Sequence, residues 1–270
     1  MNKDKNDNVM VSIVMITYNQ DRYIKDAVES ILNQECNFKI ELIIADDKSQ
    51  DNTEKLILEI IKHHKKGHFI KYTKHKINKG IVPNIMWALG QSSGKYIAVC
   101  EGDDFWTDSL KLQKQVDFLN KHSDFSMTFH SVNILNDGNT TYSYPIPKKD
   151  IITLNDILFN HFIPTCSLVF RAEYILPYYP WLNKCIQADI PLELYLADKG
   201  RAKYFDKKMG TYRKQGQGIT ASISQKKLGR KSLIIIYKNL IKVLSFRRRI
   251  PLTIVLLKTY LGYIVDVFRK

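Results

Sequence analysis

The chain has 270 residues, 44% of them hydrophobic and 11% aromatic, which suffices for one large domain or two small ones and excludes a disordered, collagenous or disulfide-scaffold protein. Its formal charge is +14, but 12 Lys and Arg against the single acid Asp266 lie from Lys226 onward, so that segment carries +11 and the rest only +3. A nearly balanced body without a basic patch of its own argues against nucleic acid as the partner.

Residues 1–8 are polar, with no apolar run of a cleavable signal, so the chain is expected in the cytoplasm. Residues 11–16 are apolar apart from Ser12, the length of a strand buried on both faces, and end at Thr17, Tyr18 and Asn19. Ile24, Ala27, Val28, Ile31 and Leu32 then make one helical stripe, with Asp21 placed to cap its first turn. A second apolar strand, residues 40–45, stops at Asp46 and Asp47. Asp51 and Glu54 have capping-box spacing ahead of Leu56, Ile57, Ile60 and Ile61, which predicts another helix. A short strand at 69–72, a helix at 83–89 opened by Pro83 and a strand at 95–100 continue the alternation, which builds a parallel sheet with right-handed crossovers.

The third long strand also ends in acids, at Glu101, Gly102, Asp103 and Asp104. Ligands of open parallel sheets lie beyond the carboxyl ends of the strands, so Tyr18, Asp46, Asp47, Asp103 and Asp104 are expected around one crevice. Paired acids at a strand end repel one another unless a cation, a donor-rich ligand or water compensates them. A hard divalent cation carrying a phosphorylated ligand would do so through one or two carboxylates; the alternative is that Asp103 and Asp104 only cap the turn before Trp106.

Further along, a helix at 110–120, a strand at 125–135, a polar stretch at 136–149 with a turn at Asn136, Asp137 and Gly138, and a strand at 165–171 are predicted. A helix opened by Pro191 runs to Ala197, and two short strands follow at 202–205 and 209–213. The Cys residues at 36, 100, 166 and 185 show no CxxC pair or metal-ligand spacing, as inert thiols in a reducing compartment would. The one GxG, Gly216 to Gly218, opens no clear helix, and no Walker A run is present, so dinucleotide and P-loop chemistry are not indicated.

Four segments in order carry a resemblance. Residues 11–19 (VSIVMITYN), residues 41–49 (ELIIADDKS) with Asp51 and Thr53, then Asn78, Gly80 and Asn84, then residues 94–97 (GKYI) leading to Asp103 and Asp104, resemble the motifs of family 2 inverting glycosyltransferases over about residues 9–220. The resemblance implies a GT-A fold, an α/β domain with a mostly parallel central sheet flanked by helices. It implies one domain over 1–224 with a nucleotide-sugar-binding half at 9–120 and an acceptor half at 121–224, while the shift in charge near Ser224 sets off a basic helical tail at 225–270. It further implies transfer of a sugar, with inversion, from a nucleotide diphosphate donor, usually a UDP-sugar, to an acceptor hydroxyl.

By position, Thr17 and Tyr18 (with Asn19) would line the nucleoside pocket and Asp47, beside Asp46, would accept a hydrogen bond from the base. Asn78, Gly80 and Asn84 belong to the same binding motif. Asp103 would contact the ribose, Asp104 would hold Mn2+ or Mg2+ on the diphosphate, and Asp189 aligns with the catalytic base. The alternative for Asp189 is an ordinary cap, with Glu193 then the fallback base. Arg213 and Lys214 could meet the diphosphate or form a solvated strand end. Trp106 and Trp181 could stack on sugar or belong to the core. The chain departs from the family pattern at Lys48 and Asn52, where Gly is common, and at Gln215, where a His often follows Tyr-Arg.

In the tail, residues 250–268 have the length of a membrane span, but Lys258 and Asp266 argue against one, and amphipathic helices lying on an anionic membrane surface fit better. A helical cap on the domain, a dimer contact and nucleic acid are the alternatives. The expectation is thus a transferase peripherally bound at the inner face of the plasma membrane, acting on a saccharide or lipid-linked saccharide in surface-polysaccharide or glycolipid synthesis. A sugar-nucleotide-binding protein with little turnover is the runner-up.

Overall fold

The computed structural model describes residues 8–136, 139–143, 146–214 and 223–268. The first half alternates as its pattern dictates: β1 (Val11–Thr17), α1 (Ile24–Leu32), β2 (Ile40–Asp46), α2 (Thr53–His63), β3 (Ile70–Lys74), α3 (Ile81–Gly90) and β4 (Tyr96–Val99). All seven residues of β2 and all four of β4 are buried, as continuous apolar runs between two helical layers must be. The apolar stripe of α1 is wholly buried. At about 1.5–3 kcal/mol for each fully buried Val, Leu or Ile, these stripes rather than helix propensity hold the layers together.

Then follow β5 (Phe105–Trp106), α4 (Lys111–Lys121), β6 (Phe125–Asn136), β7 (Asn139–Ser143), β8 (Ile151–Ile152), α5 (Leu154–Phe159), β9 (Val169–Arg171), α6 (Asp189–Lys199), β10 (Arg201–Lys214), α7 (Ile223–Val243) and α8 (Arg249–Phe268). The described strands form one ten-stranded sheet in the order β3-β2-β1-β4-β9-β6-β10-β5, with β7 on β6 and β8 on β10. The β3-β2-β1-β4 half is parallel; beyond it β9 and β5 run antiparallel to their neighbours, while β6 and β10 pair in parallel. Ile24, Ile57 and Leu112, from α1, α2 and α4, pack on one face of the sheet. Ile85, Ile157 and Leu194, from α3, α5 and α6, pack on the other with Ile236, Tyr237 and Leu240 of α7 and Leu252 of α8.

Four expectations are corrected. Asp21 does not cap α1: the N-cap is Tyr23, and the Asp21 N–H is itself donated to Asp51 Oδ2 (2.9 Å). Asp51 and Glu54 form no capping box, because Asp51 Oδ1 accepts the Thr53 N–H (3.0 Å) while Glu54 reaches out to Lys74 (2.7 Å). The strand expected over 165–171 is a 3-10 turn, Thr165–Ser167, followed by three residues of strand. The two short strands after α6 are one, β10, carried across Asp206, Lys207 and Lys208 by its ladder to β6 with register shifts on either side of Lys208. The expected turn at Asp137 and Gly138 lies outside the described residues.

Candidate functional site

The carboxyl ends of β1, β2 and β4 meet at one edge of the parallel half. Thr17 stands opposite Asp46 in register, and the Asp47 N–H is donated to the Thr17 carbonyl (2.9 Å). The Gly102 N–H is donated to the Ile16 carbonyl (3.0 Å), and any Cβ on Gly102 would lie 2.8 Å from Thr17 Oγ1, so only glycine lets the acidic turn sit so close to β1.

On the β2 side the acids organise loops. Buried Asp46 accepts the Ser49 N–H (2.7 Å) and the Tyr72 hydroxyl (2.8 Å). Asp47 accepts the N–H groups of Lys79 (2.6 Å) and Gly80 (2.9 Å), and its carbonyl accepts Asn78 Nδ2 (3.1 Å). Gly80 has φ +82°, the left-handed conformation from which α3 starts. Asn84 donates to the Ala45 carbonyl and meets His75 Nε2, both at 3.0 Å. Asn19, at φ 52°, accepts the Gln50 N–H (2.8 Å) and donates its own N–H to Ser49 Oγ (2.9 Å). Thr17 is buried, whereas the Tyr18 ring is 45% exposed and free to offer its face.

On the β4 side, β5 pairs with β10, Thr211 opposite Phe105, and this brings a residue 109 positions away onto the acidic turn. The Arg213 N–H is donated to Asp104 Oδ1 (2.8 Å), and its guanidinium donates to the Asp103 carbonyl (3.0 Å) and to Asp26 (2.7 Å). Asp104 is buried; burial, with Glu101 and Asp103 adding like charge, pushes its carboxyl well above the usual range. Glu101 is pushed up to about 8 by burial, then by Asp103 and Asp189, and its Oε2 is closed to solvent with no hydrogen-bond partner.

Asp189 opens α6 as its first residue, after Ala188, and accepts the Ile190 N–H (2.9 Å). It interacts electrostatically with Glu101, Glu193 and His161, so α6 points its first turn at the acidic turn. Burial raises the pKa of both Asp189 and Glu193, the latter more strongly; Glu193 is 3% exposed and Asp189 only half-buried.

Thus Thr17, Tyr18, Asn19, Asp46, Asp47, Asn78, Gly80 and Asn84 lie together at the carboxyl ends of β1 and β2, and Asp103, Asp104 and Arg213 meet at the turn after β4, with Asp189 near enough to act on Glu101. Glu101 and His161 were not singled out from the sequence; for Glu101 the strand-end position was signal enough. Trp106 is core, donating to the Cys166 carbonyl (2.7 Å), whereas Trp181 is half-buried and stacks on Tyr179. Gln215 lies outside the described residues. Lys48 has φ 70°, which explains why Gly suits that position, while Asn52 has an ordinary φ of −79°.

Among the described residues no three His, Cys, Asp or Glu side chains form a group that could hold a metal by themselves. The orphaned Glu101 oxygen beside the buried Asp104 carboxyl is compatible with a cation shared with phosphate instead, since Mg2+ or Mn2+ needs only one or two carboxylates when phosphates and water complete its shell.

The family model "Glycosyl transferase family 2" matches residues 12–175, more than half of the chain. An uncharacterized protein of Mycobacterium tuberculosis is 33% identical over 215 residues, 77% of this chain and 60% of that protein, so the chain spans well under two thirds of that relative's length. The Escherichia coli UDP-Glc:alpha-D-GlcNAc-diphosphoundecaprenol beta-1,3-glucosyltransferase WfgD is 30% identical over 180 residues, 66% of this chain and 67% of that one. The crystal structure of S. aureus TarS 1-349 in complex with UDP superposes with a TM-score of 0.65 at 16% identity, covering 86% of this chain and 66% of that one; at that identity the likeness is one of fold alone.

Proposed function

Because this chain belongs to glycosyl transferase family 2, we propose that it transfers a sugar, with inversion, from a nucleotide diphosphate sugar to an acceptor hydroxyl at a membrane surface. The observation that carries the reading is the gathering of Glu101, Asp103, Asp104 and Asp189, from two separate elements, into one group of mutually repelling acids in which a Glu101 oxygen has no hydrogen-bond partner. Such a group is costly in an empty protein and is relieved by a ligand that brings positive charge or donors.

Inversion is a single displacement: the acceptor oxygen bonds to the anomeric carbon as the bond to the diphosphate oxygen breaks on the opposite face. Asp189 takes the acceptor proton; its raised pKa makes it a better base than an ordinary Asp, and its half-buried position leaves it reachable. Tyr18 offers its ring to the base, and Asp47, with Asn78 and Gly80, holds the loop beneath it. Asp103 serves the ribose. Asp104, with Glu101 beside it, would hold Mn2+ or Mg2+, which when bound offsets the charge developing on the leaving diphosphate. A UDP-sugar as donor and a lipid-linked saccharide as acceptor are supported by the name of the E. coli relative.

Membrane contact is assigned to α8. With the preceding turn it forms, among the described residues, the one helix apolar and long enough to cross a bilayer, Phe246–Val267, yet it is packed against the domain: Arg230 of α7 pairs with Asp266 (2.9 Å) and Lys258 sits over Phe159. A helix so docked lies along the surface at the inner face of the membrane rather than through it.

Calorimetric titration with UDP, in Mn2+ and then in EDTA, tests the site. Binding that collapses in EDTA and in Asp104→Ala is expected; no binding of UDP, GDP, dTDP or CMP under either condition would overturn the reading.

A further inference from the structure

A groove of about 530 Å³ opens between the turn Pro180–Lys184 and the helices α7 and α8, away from the acids of the candidate site. Its chemistry is two-sided. Lys231 and Lys238 stand two turns apart on one face of α7 and Lys184 faces them across the groove. None of the three has an ion-pair partner among the described residues, since the nearby acid Asp266 is taken by Arg230. Between the lysines the walls are aromatic, with Trp181 on one side and Tyr260 and Tyr263 on the other, over a floor of Ile234 and Ile235. Three uncompensated ammonium groups around an aromatic slot fit an anion of more than one charge attached to an apolar chain.

The surroundings identify that chain as one in a membrane. Tyr260 and Tyr263 belong to α8, whose outward row Leu257, Leu261 and Ile264 is 58%, 65% and 48% exposed beside the groove, and tyrosines favour the level of lipid headgroups. The groove is also tied to the candidate base. The Ile186 N–H is donated to Ser232 Oγ (3.0 Å), next to Lys231, and three residues of chain, at most about 11 Å, separate Ile186 from Asp189.

We infer that this groove binds the diphosphate head of the long-chain lipid that carries the acceptor sugar, the first units of the chain lying against Trp181, Tyr260 and Tyr263. The inference rests on the transferase reading above only for the identity of the lipid as acceptor. The site is distinct from the one that holds the donor's diphosphate.

The test uses the full chain and farnesyl diphosphate as a soluble probe, titrated with and without saturating UDP and Mn2+. One site is expected that survives UDP and binds farnesyl diphosphate at least tenfold more tightly than inorganic pyrophosphate or farnesol. The triple variant Lys184→Ala, Lys231→Ala, Lys238→Ala should lose at least tenfold for the probe while its UDP affinity stays within twofold, and Trp181→Leu should lose affinity for farnesyl diphosphate but not for pyrophosphate. Unchanged probe binding in the triple variant, competition by UDP, or equal competition by phosphatidylglycerol vesicles at the same phosphate concentration would overturn the inference. Probe binding with no UDP binding would overturn the transferase reading and leave the lipid site standing; the reverse result would remove only the lipid site.

Discussion

Asp189 and Glu193 lie one helical turn apart on α6, and burial separates their roles. Glu193 is 3% exposed and burial raises its pKa more strongly than that of half-buried Asp189, so Asp189 is the carboxylate an acceptor hydroxyl can reach. Asp189→Asn is therefore expected to lower kcat by about 10²–10⁴ with UDP affinity unchanged, and Glu193→Gln to lower it far less. Because the base acts ionised and its pKa is raised, the rate should fall as pH drops through a value above the ordinary Asp range near 3.8, an acid limb that a pH profile of kcat would show. Glu101 gives a second pH test, on stability without ligand. Its pKa of about 8 in the folded chain lies above its ordinary value of 4.5, so between those values the folded state holds a proton that the unfolded state has lost. Stability from this group is complete below 4.5 and falls as pH rises toward 8, by at most about 1.4 kcal/mol per pH unit. Glu101→Gln should flatten that slope in urea titrations at pH 5 to 8.

At the scale of elements, β10 does the joining, because one strand pairs with β6, β8 and β5 and so carries Arg213 to the acidic turn. Arg213→Ala removes hydrogen bonds to Asp103 and Asp26 and the packing on Phe105 and Tyr23, and is expected to cost about 1–3 kcal/mol by urea denaturation; Asp26→Ala removes only a largely exposed ion pair and should cost under about 1 kcal/mol. The alternating first half was legible because each element there is long and periodic enough to declare itself: β2 is seven buried residues, and the α1 stripe is complete. What escaped was short or set by partners. β5 is two residues, α5 is six, and β10 crosses three charged residues only because β6 runs beside them. The strand-end places of Thr17, Asp46, Asp47 and the turn from Glu101 to Asp104 were legible for the same reason as the strands, since they end them, whereas Asn78, Gly80 and Asn84, in a loop and on α3, rest on the resemblance alone. That Arg213 binds Asp104 was not, since no local pattern links positions 109 apart. Nor did the Asp51 and Glu54 spacing reveal that both side chains would serve other loops.

At the scale of the molecule, the basic tail has two unlike parts. α7 buries Ile236, Tyr237 and Leu240 in the same core as β6 and α6, so removing it would expose that core and report on folding instead of on membranes. α8 buries Leu252 and Val255 but leaves Ile250, Leu257 and Leu261 facing out at 75%, 58% and 65% exposure, with Arg247, Arg248 and Arg249 at its start. Point changes on the outer row therefore test the membrane without disturbing the fold. Each outward Leu that enters a bilayer interface contributes up to about 1.5–3 kcal/mol, and each basic residue near an anionic surface about 1 kcal/mol. Leu257→Glu with Leu261→Glu should thus weaken binding to vesicles containing phosphatidylglycerol by at least 100-fold in a flotation assay, with circular dichroism and UDP affinity unchanged. Raising salt should weaken the wild type only in part, because the arginine contribution is screened and the apolar one is not. Should the double variant still float with the vesicles, the outer row of α8 is not the membrane contact, and a docked surface helix gives way to a covered face within an oligomer.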